Sequence, residues 1–146
     1  MADTVLVPVD GSDPSLRAFE YALEHHGEGD VVVCHAIELA ELARQASETT
    51  LPPATWQSVL DTARERAENV CEEAQAVADD YGVDVEAETA VGDPADVVVD
   101  AIDDHDADHV VMGSHGRTGV SRVLLGSVAE RVLRRLTVPV TVVHGD

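Results

Sequence analysis

Short aliphatic runs alternate with helix-period stretches along the whole chain. Residues 4–9 (TVLVPV), 31–37 (VVVCHAI), 83–91 (VDVEAETAV), 109–112 (HVVM) and 138–143 (VPVTVV) read as five strands. The first, second and fourth are nearly all apolar, the pattern of strands covered on both faces. The third alternates Val83, Val85, Ala87 and Thr89 against Asp84, Glu86 and Glu88, as a half-exposed strand near a sheet edge does. Strand–helix alternation of this kind predicts an α/β fold, a parallel sheet with helices on both faces.

The helices between the strands carry readable end signals. Asp13 with Pro14 is expected to cap and open the first, followed by Leu16, Phe19, Tyr21 and Leu23. A long helix is expected from about Ala54, after Pro52-Pro53, through Val59, Ala63, Ala67, Val70, Ala74 and Val77 to a stop at Gly82. Asp93-Pro94 repeats the Asp-Pro device ahead of Val97, Val98 and Ile102. Ser127 and Glu130 have the spacing of a capping box for a fourth helix ending in Arg134 and Arg135. One long connection, residues 38–53, is expected to be mobile. The whole chain, residues 1–146, reads as one domain.

Charge narrows the partners. Nine basic residues, every one an arginine, stand against 29 acidic ones, a net charge of −20 at pH 7. Binding to nucleic acid or an anionic membrane depends on neutralising phosphate, so neither is expected. No apolar run reaches the roughly 18 residues of a membrane span, and the N-terminus runs directly into strand-like sequence, so no signal peptide is expected and a cytoplasmic setting is. A carboxylate-covered surface also fits a salt-rich cytoplasm, because at about 1 M salt the screening length falls to about 3 Å. That is the expectation for a halophilic protein. Cys34 and Cys71 have no ligand spacing and are expected to be buried and reduced.

Sheets of this type place their ligand beyond the carboxyl ends of the strands. The residues there are Asp10-Gly11-Ser12, Ala36 to Glu38, Gly92-Asp93 and the stretch from Gly113. The last, GSHGRTGVSRVLLGS at 113–127, is glycine-rich, follows a strand and ends at a helix start. Glycines allow backbone N–H groups to approach an anion, and a helix N-terminus stabilises its charge, so phosphate is the natural ligand. Gly113, Gly116 and Gly119 do not make the dinucleotide fingerprint, and a chain without lysine has no P-loop. A flexible loop with an ordinary cap at Ser127 explains the same residues.

The pattern Gly113, Gly116, nine residues, then Gly126-Ser127 resembles the ATP-binding signature of the universal stress protein family. VLVPVDGS at the first strand, VVVCHAIE at the second and GSVAERVLRRLTVPVTVV at the end extend the resemblance over nearly the whole chain. It implies a three-layer α/β/α domain of the adenine nucleotide alpha hydrolase-like kind, with five parallel strands in the order 3-2-1-4-5. It also implies a homodimer formed through the last strand, at Val138, Val140 and Val142. By position, Pro8 and Asp10 would lie beside base and ribose, Ala36 against the adenine, and Met112 and Gly113 beside the ribose and first phosphates. Gly116, Gly126, Ser127 and Val128 would cradle the phosphates of ATP, with Mg²⁺ as a candidate companion ion.

Asp10 could equally close a turn, and Ser127 could bond its own helix. Arg117 and Arg122 are the cations of the loop, and Arg117 is a candidate phosphate contact. His115 is a weaker one. His105-Asp106-Ala107-Asp108-His109 resembles a metal-ligand run, but an acidic turn explains it, and no metal site is expected. No catalytic residues are expected: there is no nucleophile–His–Asp pattern and nothing to orient a hydrolytic water, so any ATP turnover should be slow. An ATP-pyrophosphatase-type enzyme would need an SGGxDS loop after the first strand, and a phospho-receiver domain a lysine. Both are absent, and with one Trp, two Tyr and one Phe a flavin is disfavoured too. The resemblance implies a nucleotide-sensing or regulatory protein of the stress response; a slow ATPase or ATP-pyrophosphatase-type enzyme, and a dimerising interaction module without nucleotide, stay open as alternatives.

Overall fold

The computed structural model describes residues 3–38, 53–114 and 125–144. Strands β1 (Thr4–Pro8), β2 (Asp30–Ile37), β3 (Val85–Val91), β4 (His109–Gly113) and β5 (Val140–Val143) alternate with helices α1 (Asp13–His26), α2 (Pro53–Asp80), α3 (Pro94–His105) and α4 (Ser127–Arg135). The strands form one parallel sheet in the order β3-β2-β1-β4-β5. The chain therefore builds outward from β1 to β3, then returns to the other side of β1 to lay down β4 and β5. The reversal point lies between β1 and β4.

Two apolar layers sandwich the sheet. On one face Val5, Val7, Val31, Val33 and Val111 pack with Phe19, Ala22 and Leu23 of α1 and Ala74 and Ala78 of α2. On the other, Leu6, Val32, Cys34, Val110 and Met112 pack with Val98, Ala101 and Ile102 of α3 and Ala129 and Val132 of α4. Consecutive strand residues thus serve opposite layers, which is why β1, β2 and β4 read as unbroken apolar runs. Phe19, the largest fully buried side chain among the described residues, contributes about 1.5–3 kcal/mol by leaving water.

Several ends differ from the sequence expectation. The cap of α1 is Ser12 rather than Asp13: its Oγ accepts from Ser15 N at 3.3 Å. Asp13 lies inside the first turn, where its charge suits the dipole. The capping box at α4 does not form. The cap is Gly126, with no side-chain cap bond, and Glu130 instead takes Arg134 at 2.6 Å. Arg134 and Arg135 do sit in the last turn, but both are in ion pairs, Arg135 with Asp96 of α3. β3 and β5 begin two residues later than their aliphatic runs suggest, at Val85 and Val140. Cys34 is buried and its thiol is pushed up to about 12 by that burial, with Glu88 adding to it, whereas Cys71 is only partly buried; both are free. The connection 38–53 lies outside the described residues, apart from its two ends.

Candidate functional site

β1 ends in a tightly bonded turn. Gly11 holds a left-handed φ of +83°, which favours glycine, and Ser12 N donates to Asp10 Oδ1 at 2.9 Å. Asp10 N donates to Ser15 Oγ at 3.3 Å, and Ser15 Oγ donates to Ser12 O at 3.0 Å. Asp10 therefore closes an Asx turn, the structural role open to it from sequence, while remaining partly exposed at the carboxyl edge of the sheet.

β4 ends beside it. Gly113 is packed so closely on α1 that a Cβ there would stand 2.8 Å from the backbone C and O of Pro14. Ser114, fully buried, follows and donates its N–H to Val143 O at 3.0 Å. Its own carbonyl accepts from Gly126 N at 2.7 Å. The glycine-rich excursion thus leaves the sheet at Ser114 and is clamped back onto that same residue where α4 begins. Gly126 has φ −64° and ψ 156°, a conformation any residue adopts, so backbone freedom is not the reason for a glycine here. Ser127 is exposed, Val128 partly buried against the α3–α4 layer.

The register assembles these pieces. Val5 pairs with His109 and Leu6 with Val110, and continued along the strands this sets Pro8 beside Met112. Pro8 pairs with Cys34 on the other side. Pro8, Asp10, Ala36, Met112, Gly113, Gly126, Ser127 and Val128 all lie at the carboxyl ends of strands or at the start of α4. Gly116, Arg117, Arg122 and His115 lie outside the described residues. Ser114 and Ser15, which clamp the loop and the turn, carried no sequence signal beyond small polar residues near a glycine.

α4 is held in place from α3. Arg131 Nη1 donates to Asp93 Oδ1 at 2.8 Å, while Asp93 Oδ2 accepts from Ala95 N at 3.1 Å as the cap of α3. Partial burial pushes the Asp93 carboxyl up, but Arg131 and the backbone donors outweigh it and hold it below the usual range. The His105–His109 run divides. His105 lies 3.1 Å from a Glu88 oxygen and 3.4 Å from Glu86, whereas His109 bonds Thr141 Oγ1 at 2.7 Å and faces His26 at a ring distance of 5.1 Å. Between them Asp106 caps α3 in a left-handed conformation, and Asp108 accepts from Thr4 N at 2.9 Å. Among the described residues, no three His, Cys, Asp or Glu side chains gather as metal ligands.

A parallel sheet wound both ways from β1, with a turn and a helix start facing its reversal point, defines a doubly wound α/β domain, a class that binds its ligands at the switch point. Residues 1–144 match the Universal stress protein family. The chain belongs to the universal stress protein family. It is 34% identical over 140 residues to Universal stress protein MJ0531 of Methanocaldococcus jannaschii, covering 95% of this chain and 80% of the relative. The solved structure of MJ0577 from the same organism superposes with a TM-score of 0.80 at 27% identity, over 100% of this chain and 98% of that one. A universal stress protein solved in complex with cAMP gives a TM-score of 0.69 at 29% identity, over 99% of this chain and 98% of the other.

Proposed function

We propose that this chain is an adenine-nucleotide-binding regulatory protein of the stress response, a single-domain cytoplasmic homodimer that holds ATP rather than consuming it. The observation that carries the reading is the clamp of Gly126 N on Ser114 O beside the Asp10 turn. It brings the first turn of α4, which has no side-chain cap, to the switch point where such sheets bind ligands. Gly126 is buried at this start although its backbone does not require a glycine, and in this reading the missing side chain is what would let a phosphate approach. Pro8, Asp10, Ala36, Met112 and Gly113 would receive the nucleoside, and Gly116, Arg117, Gly126, Ser127 and Val128 the phosphates. Mg²⁺ would arrive on the phosphates, with Asp10 the carboxylate placed to meet it.

The dimer would form on the outer edge of β5. Val110 N bonds Pro139 O and Ser114 N bonds Val143 O, so in the parallel ladder Val140 and Val142 turn their own N–H groups outward. Val138, Val140 and Val142 pack their side chains on the α3–α4 layer, which leaves this backbone edge for the partner.

Calorimetric titration with ATP, AMP and cAMP in molar KCl, with and without Mg²⁺, together with a phosphate-release assay, tests the reading. Saturable binding of one ATP per chain with little release is expected. Binding of none of the three would leave a dimerising interaction module, and rapid release would make the protein an ATPase. Preference for a monophosphate is the second reading, favoured by the cAMP complex of the 29% identical relative; tighter binding of AMP or cAMP than of ATP would establish it.

A further inference from the structure

His35 is buried, 6% exposed, between Cys34 and Ala36 on β2, and it has no part in the site as assigned above. Strand alternation sends its ring to the face that carries Val31 and Val33. Its Nδ1 lies 2.8 Å from the carbonyl oxygen of Val9. A carbonyl only accepts, so Nδ1 carries the proton and donates. Val9 N in turn donates to Cys34 O at 2.8 Å, which carries the β1–β2 ladder one step beyond Pro8. The next donor to the Val9 carbonyl in a parallel ladder would be the N–H of Ala36; the imidazole occupies that acceptor instead.

This is the point at which the chain leaves the sheet for the crevice. The Val9 carbonyl and the Asp10 N–H belong to one planar peptide unit. That unit is bonded at both ends, its oxygen by His35 and its N–H by Ser15 Oγ at 3.3 Å. We propose that His35 is a positioning residue that sets the plane of the Val9–Asp10 peptide through its Nδ1–H bond and so aims the Asp10 carboxylate at the crevice. Its consequence for affinity rests on the nucleotide reading; its consequence for the turn does not.

Two variants separate the hydrogen bond from packing. His35→Phe fills the space but cannot donate. His35→Asn places its amide nitrogen as many bonds from Cα as Nδ1 and can. Amide hydrogen exchange at Asp10 and Ser12, with Val110 and Val111 of β4 as internal controls, would be measured beside calorimetric AMP affinity. In the Phe variant the turn amides should exchange about tenfold faster and AMP bind about tenfold more weakly, with β4 unchanged, while Asn restores both to within about threefold of wild type. Equal behaviour of Phe and Asn, or turn exchange untouched by Phe, would overturn the proposal. If the wild-type protein binds no nucleotide, the nucleotide reading falls, and faster turn exchange in the Phe variant alone still supports His35 as the residue that sets the turn.

Discussion

Two glycines beside the switch point differ in what constrains them, Gly113 by packing and Gly126 by the proposed ligand alone. At Gly113 the obstacle is Pro14 backbone, which cannot swing aside. Gly113→Ala should therefore destabilise the fold by about 1–3 kcal/mol, read as a lower urea midpoint. At Gly126 the backbone accepts any residue. Gly126→Val should keep the far-UV circular dichroism of the wild type and lose nucleotide binding, and unchanged affinity would remove this glycine from the proposed cradle. Two histidines should oppose each other in the pH dependence of stability. Contact with Glu88 raises His105 above its ordinary 6.5, so its contribution is full below that value and is lost as pH rises through the folded one. Burial, then the neighbouring His26, lowers His109, so its contribution is present above 6.5 and is lost as pH falls through the folded value. Urea titrations between about pH 5 and 8 should show His105→Gln costing more stability at the acid end and His109→Gln flattening the acid-side loss.

At the scale of elements, helix ends decide how the crevice is framed. Ser12 Oγ caps α1 by accepting from Ser15 N, so Ser12→Ala should cost about 1 kcal/mol in urea unfolding. The apolar periods and the Asp93-Pro94 start of α3 were legible in the sequence because each rests on neighbours within one turn. The choice between Ser12 and Asp13, and the failure of the Ser127–Glu130 box, were not. Glu130 is drawn to Arg134, and Gly126 is pinned by Ser114, a partner 12 residues away in sequence. At β5, Val142→Pro removes an N–H proposed to face the partner while sparing the bonds to β4. Sedimentation equilibrium should then show a folded monomer, against the dimer proposed for the wild type.

Over the whole molecule the governing quantity is charge. With −20 spread over 146 residues, self-repulsion opposes the compact state, and screening relieves it. Thermal midpoints should rise steadily from dilute buffer to about 1 M KCl; a flat response would remove the halophilic reading. Within that charge field the arginines of α4 are ordered by carboxylates of the layer they pack on, Arg131 by Asp93 and Arg135 by Asp96.

The alternation of apolar periods by itself determined the α/β class, the burial of β1, β2 and β4 and the edge character of β3, because periodicity is a local property of the chain. The glycine-rich run at 113–127 was legible from its residues as a candidate phosphate loop, whereas its reading as an ATP-binding signature and the strand order rested on family resemblance; the sheet adopts that order. Only the tertiary structure decided which residues meet at the reversal point. Ser114 receives Gly126, Gly113 abuts Pro14, and His35 bonds Val9 across 26 residues. Such contacts depend on where packed elements bring distant backbone groups together, and no spacing within a single element encodes that.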